Sequence, residues 1–214
     1  MAQLKAAIIP VTPFQQNCAL LWNPETNKGV VVDPGGDVDQ ILAAIEQEKV
    51  EIERILLTHG HIDHVGGAAD LAAALSVQVE GPHKDDAVLI DNVEMQGRQF
   101  GVSGAKSVTP NRWLEEGDTV DIAGELFDVF HCPGHAPGHV IFVNKSAGFA
   151  ILGDVLFNGS IGRTDLPGGD SQTLLNSIKE KVLPLGDEIG FLCGHGQPST
   201  IGHERKNNPF LQGL

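Results

Sequence analysis

Residues 58–64 read Thr58-His59-Gly60-His61-Ile62-Asp63-His64, which places three histidines and an aspartate within six positions. Three further candidate ligands follow glycine residues later in the chain, namely His135, Asp154 and His195. Imidazole and carboxylate groups together suit borderline divalent metals such as zinc, iron or manganese. Five imidazoles and two carboxylates are more than one tetrahedral ion can use, and they match two ions that share a carboxylate and a water. Because such a pair of ions generates hydroxide at neutral pH, the pattern favours a metal-dependent hydrolase.

The cluster of histidines lies between a predicted strand and a predicted helix. Ile52–Leu57 has the aliphatic character of a strand, and Ala68–Leu75 is strongly helix-forming. Open α/β sheets place their sites at the carboxyl ends of strands, where this loop begins. In an extended segment residues two apart point the same way, so His59 and His61 can face one ion. The next two ligands can turn toward a second ion as the helix begins.

Simpler explanations exist for single residues of the set. Asp63 alone would serve as an N-cap for the following helix, and a lone histidine is more often a core or surface residue than a ligand. Asp154 and Asp33 share a context, since each ends an apolar run and therefore lies at a strand tip. We assign Asp154 to the shared carboxylate because it lies between the second and third ligand segments. Asp33 is assigned to a supporting or structural role beside the ligands.

Six segments carry a resemblance to a known family. They are Pro10–Cys18, Val32–Gly36, Leu56–Gly66, Cys132–His139, Gly162–Asp165 and Gly194–Gly196. Together they resemble the metallo-β-lactamase superfamily and, within it, the glyoxalase II branch of hydroxyacylglutathione hydrolases in its short bacterial type II form. The pattern H-x-H-x-D-H is specific for the superfamily but not for one reaction. The resemblance implies an α/β fold, a four-layer αββα sandwich of two mixed sheets with helices on their outer faces.

The resemblance also implies how the ligands are shared between two sites. The first-site ligands would be His59, His61 and His135, the second-site ligands would be Asp63, His64 and His195, and Asp154 would bridge them. Lactamases with a cysteine ligand place Cys at the bridging position, and flavodiiron proteins typically have Glu where this chain has His61, so both branches are less expected. The implied cofactors are two divalent transition-metal ions, zinc first, with iron or manganese as alternatives.

Element patterns favour one domain over residues 1–214. Apolar stripes predict helices over 38–45 and over 174–182, the second after the candidate cap Asp170. Strand-like runs are Gly29–Val32, Phe127–Phe130, Val140–Val143 and Phe149–Leu152. The C-terminal helical domain that grips glutathione in longer glyoxalase II enzymes is expected to be absent. For Lys84–Asn111, a partly helical excursion over the site mouth and an ordinary surface loop are equally compatible with the sequence.

Charge and hydropathy indicate which classes of partner and which cellular compartment are expected. The formal net charge is 14 − 28 = −14, and no run of Lys or Arg offsets it, which weighs against nucleic acid. No segment reaches transmembrane length and no proper signal peptide is present, so we expect a cytoplasmic protein without a membrane partner. The oligomeric state is left open by the sequence.

The reaction implied by the resemblance is thiolester hydrolysis, with S-lactoylglutathione as substrate and methylglyoxal detoxification as context. In this hypothesis a metal-bound hydroxide attacks the carbonyl carbon, while Asp63 and Asp154 orient it and accept its proton. A thiolate leaving group has a pKa of about 8.5 and needs little help from an acid, which fits a chain with no Tyr. Two alternatives stay open, a mononuclear iron persulfide dioxygenase acting on glutathione persulfide and a lactone hydrolase.

Two arginines are candidates for contact with the substrate. Arg163 corresponds to the basic contact that the family has just past the bridging aspartate, but the tyrosine two positions further on is replaced by Asp165. A carboxylate there would repel glutathione unless it pairs with Arg163, and that pair is also the purely structural explanation for the arginine. Arg205 lies beside Lys206 near the tail, where the two cations would partly replace the missing domain.

Overall fold

The computed structural model describes residues 4–214. Its strands are β1 (Lys5–Val11), β2 (Gln16–Trp22), β3 (Lys28–Val32), β4 (Glu51–Leu56), β5 (Gln78–Glu80), β6 (Thr119–Ile122), β7 (Glu125–His131), β8 (Val140–Asn144), β9 (Phe149–Ile151), β10 (Leu156–Phe157), β11 (Ser160–Ile161), β12 (Gly190–Leu192) and β13 (Ser199–Thr200). Its α-helices are α1 (Val38–Glu48), α2 (Ile62–Val65), α3 (Ala68–Leu75), α4 (Ala87–Asp91), α5 (Val93–Phe100), α6 (Ser171–Ser177) and α7 (Ile201–Asn207). A π-helical turn, Ile178–Val182, continues α6.

Two large sheets form the centre of the molecule, and both are mixed. The first has the strand order β1-β2-β3-β4-β5, with antiparallel pairing up to β3 and parallel pairing from β3 to β5. The second has the order β13-β12-β9-β8-β7-β6, in which only β12 and β9 run parallel. The pair β10 and β11 forms a small separate hairpin. The predicted pair of mixed sheets is therefore confirmed.

Three buried clusters separate four layers. One contains Ala19, Val30 and Val32 of the first sheet together with Phe127 and Phe142 of the second, so it fills the space between the sheets. The other two pack helices against the outer face of each sheet, as the buried side chains of α1 and α3 and those of α6 show. Because β3 is covered on both faces, it reads as an uninterrupted run of valines. This is the αββα sandwich that the sequence predicted.

Local sequence signals account for most element ends. The helix over 38–45 extends to Glu48, and the predicted cap Asp170 accepts a hydrogen bond from the Thr173 backbone N–H at 2.7 Å. Asp63 is not an N-cap, because it lies inside α2, and α3 begins after Gly67 without a side-chain cap. Residues 84–100 are largely helical. Along residues 4–214, none of the helices has the length and apolar character needed to cross a bilayer.

Candidate metal centre

The loop after β4 presents the first four candidate ligands. β4 ends at Leu56, and His61 precedes α2 with an extended backbone, φ −73° and ψ 148°. The rings of His59 and His61 lie 4.8 Å apart and enter the same cluster, while Asp63 and His64 lie in the first turn of α2. This matches the direction that the period of an extended chain predicts.

The first cluster joins His59, His61 and His135. His61 Nδ1 lies 2.9 Å from His135 Nε2, which lies 3.2 Å from His59 Nε2. All three side chains are buried. The three candidate ligand atoms lie within 4.8 Å of one another, close enough to share one ion.

Hydrogen bonds on the far sides of these rings fix their tautomers. His135 Nδ1 donates to the carbonyl oxygen of Arg163 at 2.7 Å. The Thr58 hydroxyl donates to Asp33 Oδ2 at 2.6 Å, so it accepts from His59 Nδ1 at 3.0 Å. His59 Nε2 and His135 Nε2 consequently both carry lone pairs that face each other. Two such lone pairs repel unless a cation lies between them, so the arrangement fits a bound metal.

The second cluster joins Asp63, His64 and His195. His195 Nε2 lies 3.2 Å and His64 Nε2 lies 3.8 Å from Asp63 Oδ2. His64 Nδ1 donates to Asp33 Oδ2 at 2.9 Å, which leaves His64 Nε2 free to face the cluster. The carboxylate oxygens of Asp33 thus accept hydrogen bonds from Thr58 and His64, which fits the supporting role predicted for it, although its position beside His59 and His64 would also allow it to contact an ion.

Asp154 lies between the two clusters. Its Oδ1 is 3.4 Å from His64 Nε2, and its Oδ2 is 3.4 Å from His135 Nε2 and 3.6 Å from His195 Nε2. Among the described residues, the buried side-chain atoms without a hydrogen-bond partner include Asp154 Oδ1 and His64 Nε2, which lie 3.4 Å apart between the clusters. Buried polar atoms are nearly always paired, so these atoms, together with the tautomers, fit divalent cations held by both clusters.

The charge of the centre favours cations. Burial lowers the pKa of His61 to about 3 and lowers the pKa of His59 well below its usual range. Burial alone would raise the pKa of Asp63 and Asp154, but neighbouring imidazoles, His64 first, hold both below the usual range. Both carboxylates are therefore ionised. They also raise the pKa of His64 against the effect of burial, so a metal ion and a proton compete for its Nε2.

Two residues hold the carboxylate of Asp154 in place. His139 Nε2 accepts a hydrogen bond from the Asp154 backbone N–H at 3.0 Å, and its ring stacks on His59 at 4.6 Å. A Cβ on Gly194 would collide with Asp154 Oδ1 and approach His64 Cε1 to 2.6 Å. Only glycine therefore lets the chain before His195 come this close to the shared carboxylate.

A buried carboxylate links the two loops that carry the first cluster. Asp86 accepts hydrogen bonds from the backbone N–H of Gly60 at 2.7 Å and of Gly138 at 2.5 Å. Burial raises the pKa of Asp86 to about 6, although these two hydrogen bonds lower it. This role of Asp86 could not be predicted from the sequence, because its partners are backbone N–H groups and no spacing of side chains indicates them.

A cavity of about 380 Å³ opens onto the clusters. It is lined by Phe14, His61, Ile62, Asp63, Gln96, Phe100, His135, Asp154, Phe157, Ser160, Ile161, Arg163, Leu166 and His195. The segment Lys84–Asn111 thus contributes Gln96 and Phe100 to the cavity. Phe14 belongs to the turn between β1 and β2, within the segment Pro10–Cys18 that carries part of the family resemblance; its place in the cavity was not predicted.

The two candidate substrate arginines lie in different places. Arg163 lines the cavity, and its guanidinium makes two hydrogen bonds of 2.7 Å to the carboxylate of Asp165. Arg205 is not among the lining residues. Its Nε donates to Asp187 at 2.7 Å and its Nη2 to the Leu183 carbonyl oxygen at 2.6 Å. These contacts tie α7 to the segment 183–187, and a contact of Arg205 with substrate stays a prediction.

Comparisons with known proteins agree with this geometry. The family model described as the metallo-beta-lactamase superfamily matches residues 11–195. Hydroxyacylglutathione hydrolase GloC of Haemophilus influenzae is 44% identical over 205 residues, which are 95% of this chain and 96% of that protein. The crystal structure of BLEG-1 B3 metallo-beta-lactamase aligns with a TM-score of 0.90 at 36% identity, covering 98% of this chain and 100% of its own. The crystal structure of TTHA1623 in a di-iron-bound form gives 0.86 at 37% identity, covering 96% and 100%.

Proposed function

The chain belongs to the metallo-β-lactamase superfamily, and we propose that it is a metal-dependent hydrolase that cleaves thiolesters such as S-lactoylglutathione. The observation that carries this proposal is the position of Asp154, within 3.6 Å of ligand nitrogens from both clusters. A single-ion centre has no need of the second cluster of Asp63, His64 and His195. The similarity to a relative named hydroxyacylglutathione hydrolase supports the choice of substrate.

The residues around the clusters divide the work of hydrolysis. When bound, two divalent ions supply a nucleophilic hydroxide at neutral pH and polarise the substrate carbonyl. Asp63 and Asp154, both ionised, orient the attacking oxygen and accept its proton at a carboxylate oxygen. Asp33, Thr58 and His139 keep the ligands in the tautomers and positions described above.

The leaving group decides between a thiolester and an amide. A thiolate with a pKa of about 8.5 departs without a proton at neutral pH. An amine must be protonated as it leaves, and the described cavity lining offers neither Tyr nor Lys for that step. This supports a thiolester rather than a lactam as substrate.

Further parts of the proposal concern the setting of the reaction. We propose zinc as the metal, with iron or manganese as alternatives, because histidine and carboxylate ligands suit all three. We further propose a single domain over residues 1–214 that works in the cytoplasm on methylglyoxal-derived thiolesters. The acidic net charge of −14 disfavours nucleic acid and anionic membrane surfaces as partners.

A parallel assay of two substrates tests the reaction class. The metal-loaded protein is given S-lactoylglutathione while free thiol is followed, and glutathione persulfide while oxygen is followed. Thiol release without oxygen uptake is expected. Oxygen uptake without thiol release would replace the hydrolase with an iron persulfide dioxygenase.

A further inference from the structure

Much of the lining of the cavity beside the candidate metal clusters is apolar. Six of the lining residues have apolar side chains, namely Phe14, Ile62, Phe100, Phe157, Ile161 and Leu166. Phe14 and Phe100 come from separate segments and meet edge to face, with ring centroids 6.1 Å apart. Each is still 41% exposed. Large aromatic side chains left open to solvent beside a reactive centre are available for contact with a ligand.

The aromatic wall continues to the ligands themselves. The ring of Phe157 lies edge to face against the His195 imidazole, with centroids 6.1 Å apart. Phe14 and Phe100, both partly exposed, line the same cavity as His61, His135 and Asp154, which are buried. An apolar arm attached to a carbonyl at the clusters would therefore run along aromatic surface.

The charges around the cavity do not suit an anionic arm. Arg163 is the one Lys or Arg side chain among the described lining residues. Its guanidinium donates two hydrogen bonds to the carboxylate of Asp165 and so forms a bidentate ion pair. Asp63 and Asp154 belong to the candidate metal clusters, where bound ions would offset their charge. Glutathione carries two carboxylates of its own, and away from the clusters it would find one cationic side chain, which is already paired.

We propose that Phe14, Phe100 and Phe157 form a subsite for an apolar arm of the thiolester, so that the preferred substrates are thiolesters with an uncharged, aromatic or aliphatic arm. This rests on the proposed hydrolase function and names the substrate class of the same site. The arm can belong to the thiol or to the acyl group, and the experiment separates these two sources.

Three probes test the subsite. S-lactoylglutathione is the reference, the thiolester of lactate with benzyl mercaptan carries an apolar thiol arm, and S-phenylacetylglutathione carries an apolar acyl arm. In the metal-loaded wild-type protein, at least one apolar probe is expected to have a KM about tenfold below that of S-lactoylglutathione. The KM of the benzyl thiolester should not change with ionic strength, since it carries no charge to be screened.

A pair of phenylalanine variants gives the matched comparison. Phe100→Ala should raise the KM of the preferred apolar probe about tenfold, a larger factor than for S-lactoylglutathione. Phe210→Ala removes another exposed phenylalanine, 52% exposed and outside the cavity lining, and should change neither. Phe14→Ala repeats the test from the other side of the aromatic pair.

The outcomes distinguish the subsite from the hydrolase itself. Loss of affinity for the benzyl thiolester assigns the thiol arm, and loss for the phenylacetyl probe assigns the acyl arm. Equal KM values for all three probes, or equal effects of Phe100→Ala and Phe210→Ala, would overturn the subsite while the thiolesterase stands. Absence of thiol release from all three probes would overturn both proposals together.

Discussion

The substitution Asp33→Asn should weaken the second metal cluster selectively. Asp33 Oδ1 accepts from the Thr58 backbone N–H at 2.7 Å, and its Oδ2 accepts from the Thr58 hydroxyl at 2.6 Å and from His64 Nδ1 at 2.9 Å. The amide oxygen of Asn can keep the first of these bonds. Its NH₂ group cannot accept from His64 Nδ1, so that bond is lost or the His64 proton moves to Nε2, where it blocks metal binding.

The size of the effect follows from the lost hydrogen bond. A hydrogen bond to a charged acceptor contributes about 1.5–3 kcal/mol, and every 1.4 kcal/mol is about a factor of ten in affinity. We therefore expect the affinity of the second cluster for zinc to fall about 10- to 100-fold, as is typical when the partner of a ligating histidine is removed. The first cluster should change less, because Thr58 Oγ1 can still accept from His59.

Competition with a chromophoric zinc chelator measures both dissociation constants. The variant His195→Ala, which lacks a ligand of the second cluster, identifies the phase that belongs to it. Asp70→Asn is the control, because it makes the same chemical change in a partly exposed ion pair with Lys106. Equal zinc affinities in Asp33→Asn and the wild-type protein would refute the role of Asp33.

Substitutions at three further positions probe the surroundings of the clusters. Asp86→Ala leaves the backbone N–H groups of Gly60 and Gly138 buried without an acceptor, so the free energy of unfolding should fall by about 2–6 kcal/mol in chemical denaturation. Because the folded pKa of Asp86, about 6, exceeds the ordinary value of about 3.9, its contribution to the free energy of unfolding should decrease as pH rises from about 4 to about 6, and Asp86→Asn should lack this slope. Gly194→Ala should displace Asp154 and reduce zinc stoichiometry by elemental analysis, whereas Gly190→Ala, whose Cβ would come no closer than 3.9 Å to another atom, should keep it. Asp165→Asn frees the Arg163 guanidinium and should lower the KM for S-lactoylglutathione about two- to fivefold, an effect that added salt should remove.

The sequence predicted the elements whose signals are local. A strand that is covered on both faces, such as β3, is an apolar run in the sequence and can be recognised from it. The apolar stripe over 38–45 predicted the position of α1. The spacing of His59 and His61 predicted that both would face the same cluster, because side-chain direction in an extended chain has a fixed period. These features depend on neighbours in the chain, and the structure agrees with them.

Features that depend on contacts between distant segments could not be predicted from the sequence. The edge-to-face pair of Phe14 and Phe100 exists because the turn after β1 and the end of α5 meet above the cavity. The surroundings of Arg205 could not be predicted, because a cluster of cations in sequence does not reveal the direction of a side chain, which is fixed here by Asp187. The role of Asp86 depends on backbone N–H groups, which every residue except proline has.

Zinc titration of the chelator-stripped protein, with thiol release from S-lactoylglutathione as the readout, tests the central claim most directly. Asp154 lies between two clusters, so activity should be absent without metal and should reach its maximum at two equivalents per chain. His59→Ala should disturb the first cluster, and His195→Ala should bind one equivalent and lose most of the activity. Full activity in protein that elemental analysis shows to be free of transition metal, or full activity of His195→Ala at one equivalent, would contradict a two-metal hydrolase.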